Sequence, residues 1–171
     1  MLTVYADSEQ AQEALGAALA QSCPESCIIY LEGELGAGKT TLTRGFLHAL
    51  GHRGAVRSPT YTLLEPYLLQ SRTCYHLDLY RLGDPQELEY LGLRDLLHDP
   101  AVLLVEWPER GEGELPWPDL RIRIGYAGNG RRLDLEADSA LGEEFLGRFN
   151  ELGRPVGGGQ SSDRESASDG D

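Results

Sequence analysis

Residues 33–41 read GELGAGKTT, and the reading of this stretch decides the fold. Gly33, Gly38, Lys39 and Thr40 meet the phosphate-binding pattern G-x-x-x-x-G-K-[ST] at every required position. Upstream, CIIYLEG (27–33) is an apolar, β-branched run that stops at Gly33. Downstream, KTTLTRGFLHALG (39–51) reads as a helix closed by Gly51 in the left-handed position. Strand, glycine loop and helix together aim successive backbone amides at one concavity at the positive end of a helix, and Gly33, Gly36 and Gly38 allow that turn without Cβ clashes. Lys39 then places its ammonium between the β- and γ-phosphates of a nucleotide, Thr40 offers a hydroxyl to Mg²⁺, and Thr41 adds a polar contact.

Working outward, ADSEQAQEALGAALAQ (6–21) sets Ala11, Ala14, Leu15, Ala18 and Leu19 at helical spacing behind Asp7 and Ser8, either of which caps the first amides. After the loop helix, Tyr61–Tyr67 and Thr73–Tyr80 are strand-like runs separated by QSR, which predicts a hairpin. DPQELEYLGLRDLLHD (84–99) opens with Asp84 as cap, Pro85 at the first helical position and Glu87 three residues on from the cap, predicting a helix that ends before Pro100. AVLLVEW (101–107) is a short, continuously apolar run and reads as a strand buried on both faces of a parallel sheet, with Glu106 at its end. DLRIRIGY (119–126) and RRLDLEA (131–137) alternate apolar and polar around Asn129-Gly130, predicting an antiparallel edge hairpin before a last short helix, ALGEEFLGRF (140–149). The expected fold class is α/β: a P-loop NTPase-like three-layer fold with a mostly parallel central sheet and an antiparallel edge hairpin.

Length and composition bound the rest. A chain of 171 residues that is 40% hydrophobic suits one domain with a sizeable core, expected over residues 1–152. From residue 153 the sequence is GRPVGGGQSSDRESASDGD, with no large apolar side chain beyond Val156, so residues 153–171 read as a disordered tail. The formal net charge of -13 repels polyphosphate backbones and excludes broad, nonspecific nucleic-acid binding. Cys23, Cys27 and Cys74 lack the second pair or histidine that a tetrahedral zinc site needs, and read as packing or surface thiols. The N-terminus has neither a basic start nor an apolar run, and no stretch approaches the roughly 18 apolar residues of a membrane span, so the expected location is the cytoplasm, away from membranes.

Magnesium on a triphosphate usually takes a carboxylate from a neighbouring strand end. Glu106, ending AVLLVE, and Asp78, within YHLDLYR, both qualify, and each also reads as a partly solvated strand-end carboxylate. His76 is a further candidate for the site, although a lone histidine in a strand is more often a satisfied core residue. In RSPT (57–60) Ser58 and Thr60 expose hydroxyls beside the stiff Pro59, either to sense a γ-phosphate or as an ordinary turn. Trp107 either stacks on a base or packs. The guanine-reading stretch Asn-Lys-x-Asp does not occur, which leaves ATP as the expected nucleotide. Arg57 and Arg81 lie in plausible places for a charge-neutralising finger, but no loop presents one plainly, and slow hydrolysis by the isolated chain is expected.

Four blocks in order and spacing, LEGELGAGKTTLTRGFLHALG (31–51), VRSPTYTLLEPY (56–67), YHLDLYRLGDPQELEYLGLRD (75–95) and LVEWPERG (104–111), closely resemble the TsaE family, also called YjeE. The resemblance covers about residues 2–152 and leaves out the tail. It implies a bacterial P-loop ATPase that serves formation of threonylcarbamoyladenosine on the tRNA adenosine beside the anticodon. It further implies that TsaD with TsaB transfers the group, that this chain docks on that pair, and that tRNA is held only indirectly, by the partners, which fits the acidity. Carried over by resemblance, the phosphate loop falls on Ala37–Leu42 with Lys39 central, the magnesium groups on Thr40 or Thr41 and Glu106, and the second acid on Asp78. Thr60 matches the family's switch-like loop, Trp107 the tryptophan near the nucleotide, and Glu9 and the hairpin near Gly130 the rest of the nucleotide pocket.

The alternative reading is a small-molecule P-loop kinase, which needs the same loop. A kinase also needs a lid with several arginines, and no such cluster lies between Lys39 and Glu106. A third reading makes nucleotide binding a conformational switch on a scaffold, with hydrolysis incidental.

Overall fold

A computed structural model describes residues 1–153 of the chain. The tail expected over 153–171 therefore lies, beyond its first residue, outside the described residues. Among the described residues seven strands form one sheet: β1 (Leu2–Ala6), β2 (Cys27–Glu32), β3 (Leu64–Leu68), β4 (Thr73–Asp78), β5 (Val102–Glu106), β6 (Leu120–Ala127) and β7 (Gly130–Ala137). Their spatial order is β1-β7-β6-β2-β5-β4-β3. The three pairings in the middle, β6 with β2, β2 with β5 and β5 with β4, are parallel, and the flanking pairings are antiparallel.

The central strands are buried on both faces, as their apolar runs require. Successive side chains point to opposite faces. Thus Ile29, Leu31, Val102 and Leu104 join one core with Leu15, Leu19, Leu42, Phe46 and Phe145, while Tyr30, Leu103 and Val105 join the other with Leu77, Leu79, Leu88 and Leu93. The first core is roofed by α1 (Glu9–Ser22), α2 (Lys39–Ala49) and α5 (Ala140–Arg148), which runs on into a single π-helical turn, Phe149–Gly153. The second is roofed by α3 (Glu87–Tyr90) and α4 (Leu93–Leu96), which completes the three layers. The α1–α2 contact is close because it is built on glycine: a Cβ on Gly45 would lie 2.0 Å from the Glu13 carbonyl oxygen, and one on Gly16 would lie 2.2 Å from that of Leu42.

Two local expectations change. The continuous helix expected after Asp84 is broken into two single turns by Gly92, whose φ of 71° closes α3 and reopens the chain as α4. Asp84 still supplies a cap-like contact, its carboxylate accepting from the Gln86 N–H at 2.9 Å. The β6–β7 hairpin is not at the rim, because β1, unassigned from sequence, adds antiparallel to β7; the hairpin at a sheet edge is β3–β4. Ser8 caps α1, accepting from the Ala11 N–H, and Gly51 follows α2 at φ 102°, both as the sequence predicts. Cys23, Cys27 and Cys74 are free and buried. Among the described residues no helix is long and apolar enough to cross a membrane.

Candidate functional site

The glycine loop leaves the C-terminal end of β2 and enters α2, so it opens at the carboxyl edge of the sheet, beside the ends of β4 and β5. Gly36 and Gly38 hold φ of 80° and 102°, the left-handed region that an L side chain rarely adopts. No side chain caps α2, so the amides of its first turn, with no intrahelical partner, remain free for an anion.

Lys39 begins α2 and is 5% exposed. Its ammonium donates to the backbone carbonyls of Gly33 and Glu34, the latter at 2.9 Å, and lies 4.4 Å from the centre of the Trp107 ring. Burial, the largest influence, pulls its pKa below the usual lysine value, while Glu106, then Asp78 and Glu109, pull it back up. A buried cation held by weak acceptors and flanked by carboxylates is suited to exchange those acceptors for phosphate oxygens.

The two candidate acids come together because β4 and β5 are parallel neighbours: Asp78 is directly opposite Glu106 in the register. Thr40 Oγ1 lies 3.2 Å from both Glu106 carboxylate oxygens. The Ser58 hydroxyl donates to Asp78 and also lies 3.2 Å from Glu106 Oε2, while Thr60 Oγ1 is 3.4 Å from the same Asp78 oxygen. Hydroxyls and carboxylates are hard oxygen donors of the kind Mg²⁺ selects, and Mg²⁺ carried by a triphosphate needs only one or two of them from protein. These residues fit Mg-ATP, with Gly36, Gly38 and Lys39 for the phosphates and Thr40 and Glu106 for the metal.

A cavity of about 610 Å³ collects Gly36, Gly38, Lys39, Thr40, Thr41, Ser58, Thr60, Asp78, Glu106 and Trp107. A second hollow of about 300 Å³ adjoins it through Gly36, Gly38 and Thr41, and brings in Glu9, Gln12, Asn129, Gly130 and Arg131. Glu9 therefore stands near the loop, although its carboxylate also meets Arg44 at 3.3 Å. Ala37 and Leu42 do not line either space: Ala37 is buried behind the loop, and Leu42 points into the core with its N–H bonded to the Gly38 carbonyl. Arg81 lines the larger cavity with its guanidinium 4.7 Å from the Tyr61 ring centre, whereas Arg57 does not line it. Trp107 sits at φ 57°, a strained conformation for a large side chain, which turns the chain out of β5 and lays the indole beside Lys39 and, at 5.0 Å, Tyr80.

His76 is more than a satisfied core residue. It is fully buried, its Nε2 lies 2.6 Å from Glu106 Oε2, and its Nδ1 has no hydrogen-bond partner among the described residues. With the carboxylate as acceptor, Nε2 carries the proton and fixes one Glu106 oxygen. A signal for it was present: His76 and Asp78 are two apart on one strand and share a face. Gln12 carries no such reading in the sequence, although it is the polar member of the buried stripe Gln12, Leu15, Leu19 on α1. Arg131 and Tyr126, which flank the β6–β7 turn and touch the loop, had no such signal.

The family model for "Threonylcarbamoyl adenosine biosynthesis protein TsaE" matches residues 6–133. The tRNA threonylcarbamoyladenosine biosynthesis protein TsaE of Haemophilus influenzae is 47% identical over 126 residues, covering 74% of this chain and 80% of that protein. The protein of that name from Streptomyces coelicolor is 46% identical over 116 residues, 66% of this chain and 78% of its own length. The crystal structure of Bacillus subtilis YdiB matches with a TM-score of 0.76 and 31% identity, covering 87% of this chain and 93% of that one.

Proposed function

The chain belongs to the TsaE family of threonylcarbamoyl adenosine biosynthesis proteins, and on that premise we propose that it binds and hydrolyses Mg-ATP in support of threonylcarbamoyladenosine formation on tRNA by a TsaB–TsaD pair. The observation that carries the ATPase reading is the convergence of Asp78, Glu106, Ser58 and Thr40 beside the phosphate-loop lysine. In this reading the free amides of Gly36, Gly38 and the first turn of α2 bind phosphate oxygens, and Lys39 leaves the Gly33 and Glu34 carbonyls to neutralise their charge. Thr40 and Glu106 hold Mg²⁺, which supplies charge neutralisation on the phosphates when bound. Thr41 lies between the two hollows and gives a further polar contact. Asp78, tied to Ser58 and Thr60, orients the attacking water and accepts its proton. Trp107 shields Lys39 on one side, and Glu9 with the Gly130 turn borders the nucleoside end.

Partners fit the chemistry of a chain this acidic: TsaB and TsaD contact the tRNA, and this chain reaches it only through them. The proposed location is the cytoplasm, where such tRNA work takes place. The test is the Mg²⁺-dependent ATP hydrolysis rate of the chain, alone and with a TsaB–TsaD pair, against a screen of small phosphate acceptors. Slow basal hydrolysis stimulated by the pair is the expected result. No stimulation, together with phosphorylation of a small acceptor, overturns it in favour of a kinase.

A further inference from the structure

The backbone of residues 35–38 is gripped from outside the larger cavity by three side chains from elements distant in sequence. Gln12 of α1, buried, donates through Nε2 to the carbonyls of Ala37 at 3.1 Å and Gly38 at 2.9 Å. Arg131 of β7 donates through Nε to the Ala37 carbonyl at 3.2 Å and through its second terminal nitrogen to the Gly36 carbonyl at 3.3 Å. Tyr126 of β6 donates its hydroxyl to the Leu35 carbonyl at 3.2 Å, and its ring lies 4.3 Å from the Arg131 guanidinium carbon. Every carbonyl from Leu35 to Gly38 is thus held by a side chain.

A trans peptide unit is planar, and the N–H of one residue points opposite to the C=O of the residue before it. Holding the carbonyls of Leu35, Gly36, Ala37 and Gly38 outward therefore turns the N–H groups of Gly36, Ala37, Gly38 and Lys39 inward. The Ala37 N–H is taken by the Glu34 carbonyl at 3.1 Å, which leaves Gly36, Gly38 and Lys39 as inward donors. The grip is close: a Cβ on Gly38 would lie 2.2 Å from Gln12 Nε2, and one on Gly36 would lie 3.2 Å from the Tyr126 hydroxyl oxygen. A flipped peptide here would present a carbonyl to an anion and strand a side-chain donor at once.

We infer that Gln12, Tyr126 and Arg131 are positioning residues that preset the phosphate loop by holding its carbonyls outward before any nucleotide arrives. The inference rests on the proposed nucleotide binding at this loop. It gives α1 and the late hairpin a second role, shaping the phosphate loop, beside the proposed bordering of the nucleoside end by Glu9 and the Gly130 turn.

The test uses Gln12→Ala, Arg131→Ala, Arg131→Lys and the milder Tyr126→Phe in the full chain, with three readouts: amide hydrogen exchange at residues 36–39 without nucleotide, the affinity for Mg²⁺ and a fluorescent ATP analogue, and kcat against KM for ATP. The expected result is exchange and KM each raised on the order of tenfold in Gln12→Ala and Arg131→Ala, with a smaller fall in kcat and a lesser effect in Tyr126→Phe. Arg131→Lys, which keeps the charge but not the two-pronged geometry, stays weakened. Unchanged exchange overturns the inference, as does faster exchange with unchanged affinity. Full recovery in Arg131→Lys overturns it for Arg131 and makes that residue a charge acting on phosphate. If the wild-type chain does not bind the analogue with Mg²⁺, the nucleotide reading itself falls, and exchange still reports whether the grip exists.

Discussion

Asp78 and Glu106 stand opposite one another where two parallel strands end, and the Ser58 hydroxyl reaches both carboxylates. Two acids this close divide their work by their neighbours: Glu106 is joined to the phosphate-loop threonine and to His76, and Asp78 to the Ser58–Thr60 loop.

Glu106→Gln removes the charge proposed to hold the metal and leaves the glycine loop and Lys39 in place. Turnover is expected to fall about 10²-fold or more while binding of an ATP analogue changes by less than about tenfold. Single-turnover hydrolysis and equilibrium binding separate the two effects. An unchanged turnover number would transfer the metal-holding role to Asp78.

Lys39→Ala is expected to abolish hydrolysis and weaken nucleotide binding by about 10²-fold, with the fold retained, since the proposed task of the ammonium is charge neutralisation more than packing. The lysine also gives a pH signature. Below its lowered folded-state pKa, Lys39 is charged in folded and unfolded chains alike and its burial lowers stability. As pH rises towards the ordinary lysine value of 10.5, the folded chain releases the proton first, so this residue's contribution makes the fold more stable with rising pH. In Lys39→Met that component disappears. The check is the difference in Tm between wild type and variant across the window just below pH 10.5, nucleotide absent.

His76→Ala leaves Glu106 with one donor fewer inside the sheet and is expected to lower stability by about 1–3 kcal/mol. It should also raise the Mg²⁺ concentration needed for half-maximal hydrolysis. His76→Gln retains an N–H donor and should recover part of both effects; equal loss in the two variants would show that the ring's packing, not its hydrogen bond, matters.

Gly45→Ala drives a methyl group against the Glu13 carbonyl, at 2.0 Å without rearrangement. The helices α1 and α2 must separate, at an expected cost of about 1–3 kcal/mol or more by chemical denaturation. Gly147→Ala, on α5 with nothing near its position, is the control and should be neutral or mildly stabilising.

Much of the molecule was legible in the sequence because it is specified locally. The pattern around residues 33–41 fixes strand, loop and helix through backbone conformations that only glycine adopts freely, and the uninterrupted run ending at Glu106 marks a strand buried on both faces. Four consecutive motif blocks were enough to reach the family. The helix break at Gly92 was harder to read, because a strong start signal at Asp84 says nothing about where a helix stops.

Tertiary structure alone decided what stands beside what. That β1 covers the outer flank of β7 follows from a pairing between residues more than a hundred positions apart, which leaves no mark in either segment. The parallel alignment of β4 with β5 converts two separate strand-end acids into one site and brings His76 onto Glu106. Likewise the sequence names the phosphate loop, but the side chains on its carbonyls come from α1 and the β6–β7 hairpin. Backbone conformation is set by neighbours along the chain, whereas the partners of a buried charge or carbonyl are set by which distant segments the sheet places next to it.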